Sequence, residues 1–222
     1  RRTWRFFEAF VGPDDAFLPP DNFQEDPKPV VAHRTSPTNI GLYLLSIVSA
    51  RDFGWLGILD TLDRLEATLA TMRRLERFRG HFYNWYDTGA LRPLEPRYVS
   101  TVDSGNLAAH LLALGSACRS AVDSPLLDRH VFAGIEDALL LVQDAASVLA
   151  DDRRSQTVTL GHLTETRDAL AAGLRDLPVT PAESAARVRQ LARDADTLVD
   201  IARTLTAERG DAEHSDLRVW AQ

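Results

Sequence analysis

Several things are scarce in this chain of 222 residues, and each scarcity excludes something. There is one cysteine, Cys118, so no intrachain disulfide framework can form, and a reducing compartment is the simpler expectation. Its setting, Leu-Gly-Ser-Ala-Cys-Arg, reads as a helical core thiol with no histidine placed to make it a nucleophile. Positive charge is not in excess: 25 Lys and Arg stand against 32 Asp and Glu, a formal charge of −7. That argues against a nucleic acid or an anionic membrane as partner, because affinity for phosphates comes from clustered Lys and Arg. No apolar run approaches the roughly 20 residues that a membrane span requires; the longest, Ile40 to Ala50, is too short and contains Ser46 and Ser49. Neither a Gly-rich phosphate loop nor a Gly-x-Ser-x-Gly elbow is present, so nucleotide and serine-esterase chemistry have no support. His81 and His110 lack a third ligand at metal spacing, and His162 and His214 read as surface residues; no metal and no cofactor are expected.

Aromatic residues are nearly absent from the second half, where only Phe132 and Trp220 follow Tyr98. Residues 1–98 carry 13 basic and 13 acidic side chains, so residues 99–222 hold the whole net charge. An aromatic-rich half that recognises something is therefore joined to an acidic, Ala- and Leu-rich half that scaffolds. The length suffices for one large domain or two small ones. The chain opens on Arg1 and runs straight into a helical pattern, as a piece excised from something longer would.

Taken in order, Arg1 to Val11 spaces Trp4, Phe7 and Val11 on one helical face, with Phe6 and Phe10 beside them, and Gly12-Pro13 ends it. Residues 14–36 form a Pro-dense loop, held extended and short of donors, ordered without being helix or interior strand. Ser36-Pro37 is a cap followed by a first-turn proline, starting a helix to about Phe53 that buries Ile40, Tyr43, Leu44 and Ile47. From Trp55 to Phe78, steps of three and four place Ile58, Leu62, Leu65, Leu69, Met72, Leu75 and Phe78 on one face of a long amphipathic helix, which Gly80 closes. His81 to Tyr86 alternates like a short strand, and turns follow at Thr88-Gly89 and at Pro93 and Pro96. Leu107 to Ala121 is a further helix with Asp103 or Ser104 as its cap. Three more helices follow: Pro125 to about Ala150 (Leu126, Phe132, Ile135, Leu139, Val142, Leu149), Leu160 to Leu177, and Pro181 to about Arg209. Thr180 and Glu183 form a capping box for the last. These read as antiparallel bundle helices with solvated acidic faces.

The stretch from Phe78 to Ala109 carries the chemistry. It gathers His81, Phe82, Tyr83, Trp85, Tyr86 and Tyr98 around Asp87 and Asp103. A pyranose presents an apolar C–H face to an aromatic ring and a fringe of hydroxyls to carboxylates and amides, so this composition points to a carbohydrate site. The adjoining loop adds Asp21, Asn22, Gln24, Glu25, His33 and Arg34. For each a plainer role exists: a helix cap for Asp103, the first residue of a turn for Asp87, a solvated loop for Asp21 to Glu25, a tie to a carboxylate for Arg34. Glycosidic bond chemistry takes two carboxylates, about 5 to 5.5 Å apart for retention. Glu25, Asp87 and Asp103 are candidates, but spacing in the sequence brings no two of them face to face.

Four segments resemble a known family: Pro19-Pro-Asp-Asn-Phe-Gln-Glu25, Val31-Ala-His-Arg-Thr-Ser-Pro-Thr-Asn-Ile-Gly-Leu-Tyr-Leu-Leu-Ser46, Leu75-Glu-Arg-Phe-Arg-Gly-His-Phe-Tyr-Asn-Trp-Tyr-Asp-Thr88 and Pro96-Arg-Tyr-Val-Ser-Thr-Val-Asp-Ser-Gly-Asn-Leu-Ala108. They are similar to the glucoamylase-like, cyclising and transglycosylating region of cyclic β-1,2-glucan synthases. The similarity covers roughly residues 1–114. It implies a large enzyme at the cytoplasmic face of a bacterial inner membrane, in which a glycosyltransferase elongates a β-1,2-glucan and an (α/α)6-type toroid cyclises it by transglycosylation. By that resemblance the chain is all-α: residues 1–122 form about half of an (α/α)6 toroid, and residues 123–222 are an acidic helical segment packing on it. The expected partners are a β-1,2-glucan chain and other domains of the same polypeptide. The substrate-binding set is Asp21, Asn22, Gln24, His33, Arg34, His81, Trp85, Tyr86, Asp87, Asp103 and Asn106, with Trp85 or Tyr86 stacking on glucose. Asp87 and Asp103 are weak catalytic candidates, because the resemblance places the paired catalytic carboxylates further along the toroid and makes this portion alone inactive. A complete toroid of that family takes twelve helices, and about seven are counted here. The competing expectation is a non-catalytic helical scaffold between domains, with the aromatic segments as core.

Overall fold

A computed structural model of the chain describes residues 1–125, 129–148, 157–175 and 181–208. Among them are seven α-helices and six two-residue strands, a predominantly helical protein in line with the all-α expectation. The chain divides into two compact units, Arg1–Val131 and Phe132–Gln222. Leu126, Leu149, Leu177, Thr180, His214 and Trp220, named above, lie outside the described residues.

In the first unit, α1 (Arg2–Phe10), α3 (Ile58–Arg74) and α4 (Thr101–Val122) pack on a central α2 (Pro37–Asp52). The start of α2 follows from its sequence: Ser36 Oγ accepts from the Asn39 backbone N–H at 3.2 Å, and Pro37 fills a first-turn position whose N–H would have no helical partner. Ile40, Tyr43, Leu44 and Ile47 are fully buried, with Trp4 of α1 and Val11 just after it in the same core. Phe7 stacks obliquely on Tyr43 at 5.1 Å between centroids.

Three antiparallel ribbons interrupt the helices. β1 (Phe23–Gln24) pairs with β2 (Val30–Val31), β3 (Arg34–Thr35) with β6 (Tyr86–Asp87), and β4 (Arg77–Phe78) with β5 (His81–Phe82). The β3–β6 pair joins two chain segments about fifty residues apart, in the register Arg34 to Asp87 and Thr35 to Tyr86. Side chains directly opposite share a face; Thr35 and Tyr86 are both buried on the inner one.

Three details correct the sequence reading. The long helix stops at Arg74; Gly80 does not close it. It sits instead with Arg79 in the two-residue turn between β4 and β5, both at positive φ (89° and 50°), the geometry a tight hairpin needs. Leu62 and Phe78 are exposed, and the buried face of α3 runs through Thr61, Leu65, Thr68 and Met72. The helix admits threonines because their hydroxyls bind the preceding loop: Thr68 donates to the Phe17 carbonyl at 3.0 Å and Thr71 to that of Ala16 at 2.7 Å. Finally, Cys118 is exposed on α4 and is no core thiol.

In the second unit, α5 (Arg129–Val148) from Phe132 onward, α6 (Leu160–Arg175) and α7 (Pro181–Glu208) contribute a second core that includes Phe132, Leu139, Val142, Leu163, Leu170, Leu191, Leu198 and Leu205. α6 and α7 run antiparallel: Gly173 near the end of α6 meets Leu191 early in α7, while Glu208 at the end of α7 accepts from the Thr157 N–H at 3.0 Å, just before α6. His162 is exposed, as expected, and its N–H donates to Thr159 Oγ1 at 3.2 Å, a cap for α6.

Candidate functional site

The outer face of the β3–β6 ribbon meets the first turns of α2 and α4, and the polar residues there form one continuous chain of contacts. It begins at Asp21, whose Oδ2 accepts from Arg34 Nε (3.1 Å), Arg34 Nη2 (2.8 Å) and Asn22 Nδ2 (3.2 Å), while Oδ1 accepts from Asn39 Nδ2 at 3.3 Å. A carboxylate has about four acceptor positions. Three of these donors share Oδ2 and one reaches Oδ1, so the main structural role of Asp21 is to clamp Arg34. The clamped guanidinium lies 4.8 Å from the centroid of the Trp85 ring, a cation–π distance, with the Arg34 side chain 50% exposed.

Beyond Trp85 the chain passes through Asn84, which is buried. An indole N–H can only donate and a carboxylate only accept, which fixes the orientation of the amide between them. Its oxygen accepts from Trp85 Nε1 at 2.8 Å and from the Tyr98 hydroxyl at 2.7 Å, and its nitrogen donates to Asp103 Oδ2 at 2.8 Å. Asp103 Oδ1 accepts from Thr38 Oγ1 at 2.6 Å, and Thr38 Oγ1 in turn accepts from Asn106 Nδ2 at 3.2 Å. Asp103 is half-buried, with two of its four acceptor positions filled by Thr38 and Asn84.

Asp103 is not the cap of α4. Ser100 is, with its Oγ accepting from the Asp103 N–H at 3.1 Å. A cap at Ser100 places Asp103 one turn inside the helix, where its carboxylate is released from the backbone to point across to α2. Its negative charge also sits at the positive end of the α4 dipole.

The other expected site residues divide. Asp87 lies opposite Arg34 in the ladder, but its Oδ1 accepts from the Ala90 N–H at 2.6 Å, the turn role weighed for it above. His33 Nδ1 is 2.9 Å from Oδ1 of buried Asp15, which also accepts from the Thr88 hydroxyl, so the exposed His33 belongs to a separate cluster with Asp15 and Thr88. Gln24 and Glu25 are exposed at the β1–β2 ribbon and His81 at the β4–β5 hairpin, all three apart from this chain of contacts. Tyr86 has to be withdrawn as a stacking surface. Its ring is fully buried, and its hydroxyl accepts from the Tyr83 N–H and donates to the Glu76 carbonyl, each at 2.7 Å. Burial pushes this phenol up to about 12, against the partial relief its hydrogen bond from Tyr83 provides. Of the two rings expected to stack, Trp85 is the one that is not fully buried.

Thr38, Asn39 and Asn84 were missed as site residues. The first two follow the Ser36-Pro37 start directly, and a polar pair in the first turn after a satisfied cap is free to reach elsewhere; that was the available signal. Asn84 stands between Tyr83 and Trp85, and nothing in its neighbours marks it as buried. No group of three or more His, Cys, Asp or Glu side chains suited to a metal occurs among the described residues.

Fold and site together define a predominantly helical protein with a polar and aromatic face built where a β-ribbon meets two helix N-termini. Over 158 residues, 70% of its length, the chain is 56% identical to the cyclic beta-(1,2)-glucan synthase NdvB of Rhizobium meliloti (strain 1021). It is thus related to a region of the cyclic β-1,2-glucan synthases, as the four sequence segments suggest. It spans 6% of that relative's length. No family model matches the chain.

Proposed function

We propose that this chain is a substrate-binding portion of the glucan-cyclising transglycosylase domain of a cyclic β-1,2-glucan synthase, contributing subsites and not the reaction centre. The observation that carries this is the continuous Arg34–Trp85–Asn84–Asp103–Thr38 contact chain, which sets a half-exposed guanidinium, an aromatic ring and a carboxylate with open acceptor positions on one face. A glucose unit needs donors and acceptors for its hydroxyls and a ring for its C–H face, and these three groups supply them. The identity to a glucan synthase points the same way. In this reading the first unit is part of an (α/α) toroid, its ligand a β-1,2-glucan chain, and its setting the cytoplasmic face of an inner membrane as part of a larger enzyme. No described helix is long and apolar enough to cross a membrane.

Titrating the chain with linear β-1,2-glucan, followed by tryptophan fluorescence or calorimetry, tests the reading. Binding that Trp85→Ala weakens by about tenfold or more, roughly 1.4 kcal/mol, is expected; wild-type protein that binds no glucan would sink it. One observation favours a second reading, a non-catalytic scaffold between domains of the same polypeptide: Val102, Leu112 and Val122 of α4 are 70%, 76% and 83% exposed. Under that reading, Trp85→Ala lowers the melting temperature with no ligand-specific effect, and a polar substitution at Leu112 disturbs assembly with the remaining domains while sparing glucan binding.

A further inference from the structure

We propose that Asn84 is the positioning residue of this face: it touches no ligand itself, and it locks the Trp85 ring and the Asp103 carboxylate into one fixed relation. The inference rests on the glucan-binding reading above and adds to it a named residue and a route by which the two ligand-facing groups act as one.

Asn84 is buried, whereas Trp85 and Asp103 on either side of it are half-exposed. Its amide makes three bonds, two accepted at oxygen, from Trp85 Nε1 and the Tyr98 hydroxyl, and one donated to Asp103 Oδ2, all at 2.7 to 2.8 Å. Its backbone is fixed as well, since its N–H donates to the Tyr98 carbonyl at 2.9 Å. Two consequences follow. The Trp85 N–H is consumed inside the protein, so the indole offers a ligand its ring alone. Asp103 is held at both oxygens, by Asn84 on Oδ2 and Thr38 on Oδ1, so its remaining acceptor positions have a fixed direction. A side chain of this length carrying both an acceptor and a donor is required: aspartate would set a second carboxylate against Asp103, and alanine would leave the indole N–H and one carboxylate edge without partners.

The indole N–H resonances of the intact chain provide the test, with that of Trp85 assigned by its loss in Trp85→Phe. In the wild type the Trp85 N–H is expected to be protected from solvent exchange and to shift on addition of linear β-1,2-glucan. Asn84→Ala is expected to lose that protection and to weaken glucan affinity about tenfold, while the Trp4 and Trp55 resonances stay in place. A wild-type Trp85 N–H that exchanges freely with solvent overturns the proposal whatever the ligand does. A folded Asn84→Ala variant that binds glucan like the wild type overturns the positioning role and leaves the glucan reading standing. Wild-type protein that fails to bind glucan removes both. Should Asn84→Ala not fold, the exchange Asn84→Asp with Asp103→Asn restores every donor and acceptor in the relay; recovered protection at Trp85 supports the proposal, and its absence defeats it.

Discussion

Thr38 and Asp103, separated by 65 residues, meet side chain to side chain: the threonine hydroxyl donates to Asp103 Oδ1 at 2.6 Å. Each stands in the first turn of its helix, so the bond ties together the N-terminal ends of α2 and α4. The same hydroxyl accepts from Asn106 Nδ2, which makes Thr38 the point through which two residues of α4 are held to α2. Thr38→Val keeps the shape and removes both interactions. It should lower stability by about 1.5 to 2 kcal/mol, the lower part of the range for a hydrogen bond to a charged group, because the site is only part-buried. Urea unfolding of wild type and variant would measure it, and an unchanged midpoint would mean that water replaces the hydroxyl without loss.

Arg34 makes two bonds to one oxygen of Asp21 and also lies over Trp85. A lysine can keep the charge, but it loses the planar fork and the broad contact with the indole. Arg34→Lys should therefore shift the melting temperature little, since a half-exposed ion pair contributes about 0 to 1 kcal/mol, yet weaken glucan binding by about tenfold. Calorimetric titration beside thermal melts separates the two effects. Equal affinity in both proteins would show that charge at this position suffices.

Much of the architecture was legible beforehand, and the reasons lie in particular residues. Ile40, Tyr43, Leu44 and Ile47 step by three and four from an unambiguous Ser-Pro start, and all four are buried. The end of α3 was misread because Leu75 and Phe78 continue the helical spacing in sequence while the backbone has already turned extended at Leu75; periodicity cannot tell a helix's last turn from a strand in phase with it. The buried threonines of α3 were hidden for a different cause: their partners are carbonyls of Ala16 and Phe17, more than fifty residues away. The same holds at the candidate site. Composition pointed to Trp85, Asp103 and Arg34, but it could not show that Asp21 clamps Arg34, that Tyr86 is buried, or that Asn84 joins Trp85 to Asp103, because each depends on contacts between distant parts of the chain.

Gly41 of α2 lies directly against the His110 side chain of α4. A Cβ at Gly41 would lie 2.3 Å from His110 Nδ1 and 2.9 Å from its Cγ, and that nitrogen is buried with no hydrogen-bond partner among the described residues. Glycine to alanine inside a helix is ordinarily stabilising by roughly 0.5 to 1 kcal/mol; here overpacking should dominate and cost about 1 to 3 kcal/mol net. The clash has one partner, so it should vanish when that partner is removed. In a His110→Ala background, Gly41→Ala should become neutral or stabilising, and the double-mutant cycle should give a coupling of at least about 1 kcal/mol. Additive effects would place the strain in the α2 backbone and not against the imidazole.

The Tyr86 phenol is pushed up to about 12 by burial, against an ordinary value of 10.0. A phenol that stays neutral longer in the folded protein than in the unfolded chain stabilises the fold fully below pH 10, where both states hold the proton. Between about 10 and 12 only the native state retains it, so stability falls as pH rises through that window. Wild-type protein should accordingly lose stability steeply above pH 10. Tyr43 adds to the loss, since burial raises its phenol too, opposed by Arg64. Tyr86→Phe removes one of the two titrations and should flatten the alkaline limb. It should also lower stability at neutral pH by about 1 to 3 kcal/mol, because the Tyr83 N–H and the Glu76 carbonyl lose their shared partner in the core. Urea midpoints measured from pH 8 to 11.5 for both proteins would resolve the two effects. Parallel curves across the whole range would mean that the Tyr86 hydroxyl titrates as it does in the unfolded chain, and that its burial does not hold the proton.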